Sequence, residues 1–535
     1  MNLKVMEDIM ELKLENLAQI LKVVDKGPNY DVKKLREDSI KDPKWLAFGS
    51  GNIFRGFIAR VNQDAINAGK EDRGISVVES FDEEIIEKIY KPYDNLALSV
   101  TLHKDGNFDT TLIANLVESL TLKDMDRIKE IALNPNLELM SFTITEKGYN
   151  LYASDGSLMG VVADDLKNGP AKAKHLMSIV TALLNLRFKE NAKPLTLLSM
   201  DNASHNGDLV KNSVMLIAKT WLENGFVDEA FIKYIEEKVA FPLSMIDKIT
   251  PRPASEVQKH VEELGFSAME PVVTSKGSYV AGFVNSEEAE YLVIEDTFPN
   301  GRPAFEEGGV YMADRDTVNK VETMKVTTCL NPLHTVLATY GCILGHTSIA
   351  EEMEDVELVK LIKKIGYDEG LKVVVNPGII NPKDFIDEVI NVRFPNKFMP
   401  DTPQRIATDT SQKISVRFGQ TIKGYVNDES LDVKDLKFIP LALAGWLRYL
   451  LGVNDEGKAF ELSNDPMMDY LKESLKDIEL GKFKVTDGLK ELLTNEKIFG
   501  VNLKEVGLDE LVIKYFEELS AGPGSVRATL KKYLG

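Results

Sequence analysis

Cysteine is nearly absent from this chain. Only Cys329 and Cys342 occur in 535 residues. That excludes a disulfide framework and a cysteine-rich zinc site, and it points to a reducing compartment, so the cytoplasm is the expected location. Basic runs and basic arms are also missing. The net charge is -20, a field that repels phosphate backbones and argues against nucleic acid as a partner. No run of about 18 apolar residues occurs, which argues against a membrane span. The start, MNLKVMEDIMELKLENL, is amphipathic and acidic, without the basic start and apolar core of a secretory signal. What remains is a globular mixture made acidic, 44% hydrophobic and 28% charged. At roughly 150 residues per domain, about three or four domains fit the length, or two large ones. The expected partner is a small molecule, and the expected state a monomer or small homo-oligomer.

The pattern along the chain changes once. The first forty or so residues read as a helical and loop preface. WLAFGSGN, from Trp45, is a short apolar run ending in glycines, and IFRGFIARVNQDAINAG has helical spacing up to Gly69. ISVVES (75–80) reads as a buried strand and DEEIIEKIYKPY as a helix. LALSVTLHKDGNFDTTLIAN alternates around Asp105-Gly106 and predicts an antiparallel hairpin. Further strands are expected at Leu137 to Ile144 and Leu195 to Ser199, with helices at Ala171 to Phe188 and Asp208 to Asn224. Such alternation implies a mostly parallel sheet covered on both faces. After Gly301 the strands nearly vanish. Amphipathic stretches follow at 335–345, 349–367, 402–418, 440–452 and 503–519. The expected organisation is an α/β domain over 1–300 and an all-α domain over 301–535, divided at FPNGRP.

Gly49-Ser-Gly51 lies between the first strand and its helix, where small residues let backbone amides approach a pyrophosphate. The usual third glycine is replaced by Phe54. The candidate cofactor residues are Gly49, Gly51, Asn52, Ile53, Phe54 and Arg55. Arg55 contacts phosphate or is solvated. Glu79 ends the second strand and would accept hydrogen bonds from the adenosine ribose, favouring NAD over NADP, with Asp82 as its rival. Without context, a plain tight turn explains the glycines equally well.

Polar clusters lie at the ends of other elements. Thr145-Glu146-Lys-Gly148-Tyr149 follows a strand, where open sheets bind ligands; a charged loop is the bland alternative. SMDNASHNG brings Asn202, a donor for a substrate oxygen, with His205 and Asn206 shaping a turn or capping a helix. FPLSMIDKITPRP holds Asp247 in a rigid loop, or pairs it with Lys248 or Arg252. KVTTCLNPLH is the strongest. Pro332 suits the first position of a helix, making Asn331 the expected N-cap and placing His334 in the first turn on the same side. A helix start also favours a developing alkoxide. Lys325 becomes a proton donor only if it turns inward.

The strings FGSGNIFRGF, SFTITEKGY, SMDNASHNGD, FPLSMIDKITP, VIEDTFPNGRP, LNPLHT and RFPNKFMPDTPQRIATDTSQKI, in this order, resemble the long-chain mannitol dehydrogenase family over roughly residues 45–455. The resemblance implies a Rossmann-type NAD(H) domain, a helical domain, an active site between them and no catalytic metal. It makes Lys325 the general acid/base, Asn331 and Asn202 the oxyanion-stabilising pair, and His334 a substrate-orienting group. Asp247 becomes a substrate or proton-relay residue, and Arg405 and Lys413 basic substrate positions; pairing of Arg405 with Asp401 or Asp409 is the structural alternative.

Three departures occur: SMDNASHNG replaces the commoner SCDNLxxNG, Lys248 replaces the arginine often seen before Ile-Thr-Pro, and the lysine spacing differs; the first two bear on subgroup, the third on the lysine assignment. The family places its lysine five residues before the asparagine, whereas Lys325 precedes Asn331 by six. One extra helical residue turns a side chain by about 100°, so a bulge, loop or break must absorb it. The implied reaction is hydride transfer to or from the C2 or C5 carbon of an open-chain sugar. LNPLHT favours D-fructuronate/D-mannonate, then tagaturonate/altronate, then a polyol such as mannitol. The contrasting classes are an epimerase with tightly held NAD and a non-catalytic NADH sensor.

Overall fold

The computed structural model describes residues 9–535. The amphipathic start at 1–8 lies outside the described residues, and the rest of the preface includes a helix at Val32–Lys41. The chain divides between Asn319 and Lys320 into two compact units. The division lies beyond FPNGRP, because Tyr311–Ala313 still pairs with Tyr291–Glu295. Arg302 of that motif is held by Asp296 and Glu306, so the segment is anchored.

The first unit is built on a six-stranded sheet. In chain order its strands are β1 (Trp45–Phe48), β2 (Ile75–Glu79), β3 (Leu116–Thr121), β4 (Leu139–Phe142), β5 (Leu195–Ser199) and β6 (Val239–Ala240). They lie in the order β3-β2-β1-β4-β5-β6, and every pairing is parallel. This is the doubly wound dinucleotide-binding topology, with its switch point between β1 and β4. The apolar runs WLAF, LMSF and LTLLS are needed because both faces are covered. Alternate side chains enter opposite layers: Leu46, Phe48, Met140 and Leu197 join one core, while Trp45, Ala47, Leu139 and Leu198 join the other.

The hairpin forms as the Asp-Gly signal predicts. Ala97–Leu102 pairs antiparallel with Phe108–Ile113, and Gly106 sits at φ +91°. Phe283–Glu287 extends it in parallel. A second small sheet joins Tyr311–Ala313, Tyr291–Glu295 and Ser244–Asp247. The described part of the second unit is helical apart from isolated bridges. Its centre is α1 (Asn331–Leu344), packed against α2 (Phe438–Tyr449). Gly445 permits that approach, since a Cβ there would lie 2.4 Å from the Tyr340 ring. The stretch 349–367 is broken where Asp355 caps a new helix through Glu357 N and Leu358 N. The stretch 402–418 is broken at Asp409, which takes a left-handed φ of 53°.

Candidate active site

The candidates of the first unit begin at the end of β1. Gly49 takes φ +99°, and a Cβ there would lie 2.2 Å from the Thr143 carbonyl oxygen, so only glycine fits. Thr143 N donates to Phe48 O, and Thr143 Oγ1 donates to Gly49 O, joining the β1 and β4 loops. A Cβ on Gly51 would meet no protein atom within 4 Å. Asn52 and Ile53 open the helix just behind it, with first-turn amides that suit a pyrophosphate. These residues fit a dinucleotide.

Three expectations for this turn change. Phe54 is wholly buried in the core, so its side chain packs and only its backbone can serve a ligand. Arg55 is neither solvated nor at the surface. It is 1% exposed, donating to Ala281 O and Asn52 Oδ1, and burial lowers its pKa. It thereby orients Asn52 from beneath. Glu79 turns inward rather than outward. Oε2 accepts from Ser50 N and Ser50 Oγ, and Oε1 from Phe81 N and Asp82 N.

The loops after β4 and β5 are held together by a buried carboxyl. Asp201 Oδ2 accepts from Ile144 N at 2.8 Å and from Tyr149 OH at 2.6 Å, and burial raises its pKa. Asn206 donates to Ser244 Oγ and accepts from Ser244 N, which ties SMDNASHNG to the strand ending in Asp247. The expected turn role of Asn206 is therefore filled. A cavity of about 290 Å³ opens here, lined by Ile53, Thr145, Glu146, Asn202, Ile246 and Lys248. It gathers candidates from four separate segments of the sequence. Thr145 sits at φ 65°, a strained value for a non-glycine residue at a ligand-facing loop. Asp247 is buried. Lys248 does not pair with it. Its ammonium donates to Glu287 O and pairs with Glu290 at 2.7 Å, so it is not a free carboxylate receptor.

The candidates of the second unit turn on the extra residue. Lys325–Cys329 forms one π-helical turn, in which Leu330 N donates to Lys325 O at 3.1 Å. A π-turn is an α-helix carrying one inserted residue. It absorbs the six-residue spacing, and Lys325 is turned inward, 5% exposed. Asn331 is not the N-cap. Leu330 takes that position, Asn331 is the first helical residue and Pro332 the second. As the first helical residue, Asn331 does not fill the N-cap position expected of it.

His334 is the electrostatic centre of this half. Its Nε2 is buried without a hydrogen-bond partner, 3.6 Å from Asp401 Oδ2, and its ring lies 5.0 Å from that of Phe394. Burial first, then Arg417, Arg405, Arg393 and Lys413, push its pKa down to about 3, so it is neutral. Arg405 does pair with Asp401, the structural alternative, with its side chain 60% exposed. Lys413 donates to Thr408 O, and Arg417 to Thr335 Oγ1 beside His334. Sequence reasoning missed Arg393 and Arg417. Arg417 follows Lys413 by four residues on helix Thr410–Asn427, a same-face spacing that could have revealed it.

A doubly wound sheet with a glycine turn at its switch point, and a helical unit holding a buried lysine and a neutral histidine, define a two-domain nucleotide-dependent dehydrogenase. The mannitol dehydrogenase Rossmann domain matches residues 43–307, and the mannitol dehydrogenase C-terminal domain matches residues 317–520. The chain belongs to the mannitol dehydrogenase family. It is 50% identical to the D-mannonate oxidoreductase of Thermotoga maritima over 96% of both chains. A crystal structure of D-sorbitol dehydrogenase in substrate-free form is 25% identical, with TM-score 0.80, covering 97% of this chain and 100% of that one. Mannitol 2-dehydrogenase of Pseudomonas fluorescens, 23% identical with TM-score 0.69, covers 98% and 99% and shares the fold. Among the described residues no helix is long and apolar enough to cross a membrane, and no group of three or more His, Cys, Asp or Glu could hold a metal ion.

Proposed function

We propose that the protein interconverts a keto-hexuronate and an aldonate with NAD(H), D-fructuronate and D-mannonate being the pair. The observation that carries the acid substrate is the set of basic side chains acting on His334, Arg417 foremost. Lys413, which donates to Thr408 O, and Arg417, which donates to Thr335 Oγ1, suit a carboxylate better than a neutral polyol. The similarity to D-mannonate oxidoreductase supports the same choice.

The Gly49–Ile53 turn would hold the pyrophosphate of NAD(H), whose nicotinamide would supply the hydride that reduces the keto carbon. Lys325 gives the carbonyl oxygen its proton in reduction and recovers it in oxidation. Asn331 donates a hydrogen bond to that oxygen as negative charge develops, and Asn202 is assigned the same role. His334, being neutral, accepts or donates a hydrogen bond without adding charge. Asp247 is assigned to a substrate hydroxyl.

The test is NADH oxidation with D-fructuronate, D-tagaturonate and D-fructose. D-Fructuronate should give the highest kcat/KM. Faster turnover of fructose would overturn the acid reading. Tight NADH binding without turnover of any of the three would favour a sensor, and sugar conversion without net NADH consumption an epimerase.

A further inference from the structure

The segment 453–467 joins α2 to the helix Met468–Leu475 and carries none of the candidate residues. It is folded back onto the second unit. Asp455 N donates to Ile343 O of α1, and Ser463 N donates to the Tyr449 hydroxyl of α2. Its far end then meets the helix break at Asp409. Ser463 Oγ donates to Gln404 O at 2.6 Å, and Asp409 N donates to Asn464 O at 2.8 Å. Ser411 N and Ser411 Oγ donate to the two carboxylate oxygens of Asp465 at 2.8 and 2.5 Å.

These bonds fall on both sides of Asp409. That residue holds a left-handed φ of 53°, and its side chain makes no capping bond to the helix Thr410–Asn427. A non-glycine residue keeps such a backbone only where its surroundings impose it. The strap of 463–465 imposes it, and Asp465 supplies the missing cap. Its carboxylate takes the amide of the second helical residue from outside the helix, where an anion is favoured.

The break separates the basic candidates. Arg405 lies before it on Pro403–Ile406, and Lys413 and Arg417 lie after it at same-face spacing. Lys413 reaches back across it to donate to Thr408 O. Asp465 also acts on that ammonium directly: burial and Arg417 lower the Lys413 pKa, while Asp409 and Asp465 oppose them. A carboxylate that fixes Ser411 thus fixes the start of the helix from which Lys413 extends two residues later.

Resting on the reading of Lys413 and Arg417 as receivers of the substrate carboxylate, we infer that Asp465 is a positioning residue for acid substrates, which through Ser411 and the turn at Asp409 holds the Lys413 ammonium where the carboxylate arrives.

The experiment is reduction of D-fructuronate by the full-length protein at saturating NADH, in a double-mutant cycle of Asp465→Ala and Lys413→Met. Ser411→Ala, which removes only the hydroxyl's bond, is run in the same two backgrounds and keeps the cycle readable if Asp465→Ala does not fold. In the wild-type background Asp465→Ala should raise KM about tenfold and Ser411→Ala about threefold, with kcat within about threefold and NADH affinity within about twofold. In the Lys413→Met background each should change KM by less than about twofold, because the group it holds is gone. No rise in KM in the wild-type background would overturn the inference. So would equal rises in both backgrounds, since a merely structural loss adds to that of Lys413. If Lys413→Met alone leaves KM for D-fructuronate unchanged, the acid reading falls and this inference falls with it.

Discussion

In the first unit, Glu79 accepts from four donors, Lys248 is paired with Glu290, and Arg315 bridges Glu295 and Asp208. Around His334 the arrangement is different. Burial first, and then Arg417, Arg405, Arg393 and Lys413, keep one imidazole neutral, and Asp401 beside it pairs with Arg405. The difference teaches what each region is prepared for. The glycine turn offers backbone amides suited to a pyrophosphate, while these side-chain charges are paired within the protein and hold loops. The helical half holds positive charge near a buried centre, an arrangement that an arriving anion completes.

The largest expected effect tests whether the helical half also carries the proton. Lys325→Ala should lower kcat by about 10²–10⁴-fold while leaving NADH affinity unchanged. An unchanged rate would move proton transfer elsewhere, with His334 the next candidate. A companion variant probes the π-turn itself. Val326 is its most exposed residue, and deleting it restores the five-residue spacing. Because the π-turn already offsets the insertion, the deletion should keep kcat within about tenfold of wild type. A loss as deep as that of Lys325→Ala would show that the π-turn does more than absorb a residue.

The next effect bears directly on the contrast in charge. Arg417→Leu should raise KM for the keto-acid about ten- to a hundredfold, the value of a charge-assisted hydrogen bond. It should not lower the melting temperature, since burial already pushes the Arg417 pKa down to about 10 and a crowded cation is removed. Glu79→Ala should do the opposite in the other half. It strands donors on Ser50, Phe81 and Asp82 and should cost about 2 kcal/mol of stability. Thermal melts of the two variants without ligand check the pair. If Arg417→Leu destabilises as much as Glu79→Ala, the helical half is as settled as the nucleotide half and the comparison falls.

The same contrast explains what the sequence made legible. β1, β4 and β5 are almost uninterrupted apolar runs, and a Gly-x-Gly turn follows a strand wherever backbone must approach phosphate, so both are readable from composition. β3 is hidden because LVESLT carries Glu118 at its middle. That glutamate is satisfied by Ser76 Oγ and Arg127, partners distant in sequence. FVNSE (283–287) is hidden likewise: Asn285 donates to Arg252 O, and Glu287 accepts from Ile249 N. The inward turn of Glu79 depends on Ser50, which nothing in the strand pattern marks. In the helical half LNPLHT carries Asn331 and His334, while the resemblance implies Lys325, which lies outside that string. The π-turn was foreseeable only as a need, because hydrophobic periodicity cannot locate one inserted residue. Arg393 was overlooked because RFPNKF reads as a solvated loop, yet it is 6% exposed in a π-helical turn.

The smallest effect is the most local test of the cationic field. The folded-state pKa of His334 is depressed to about 3, whereas an unfolded histidine titrates near about 6.5. Between these values the unfolded chain binds a proton that the folded chain refuses, so this residue withdraws stability as pH falls from about 6.5 toward 3 and contributes no change above that window. The chain has six histidines, few enough to follow ring by ring in a proton NMR titration with His334→Asn as the assignment control. One ring should stay neutral down to the lowest pH at which the fold survives. Saturation with D-mannonate should move that ring's titration upward, because a carboxylate among the cations screens them, while mannitol should leave it in place. A His334 that titrates near its ordinary value in the free protein would mean that the cations do not converge on it. A ring that responds equally to mannitol would mean that desolvation, and not an awaited anion, sets its protonation.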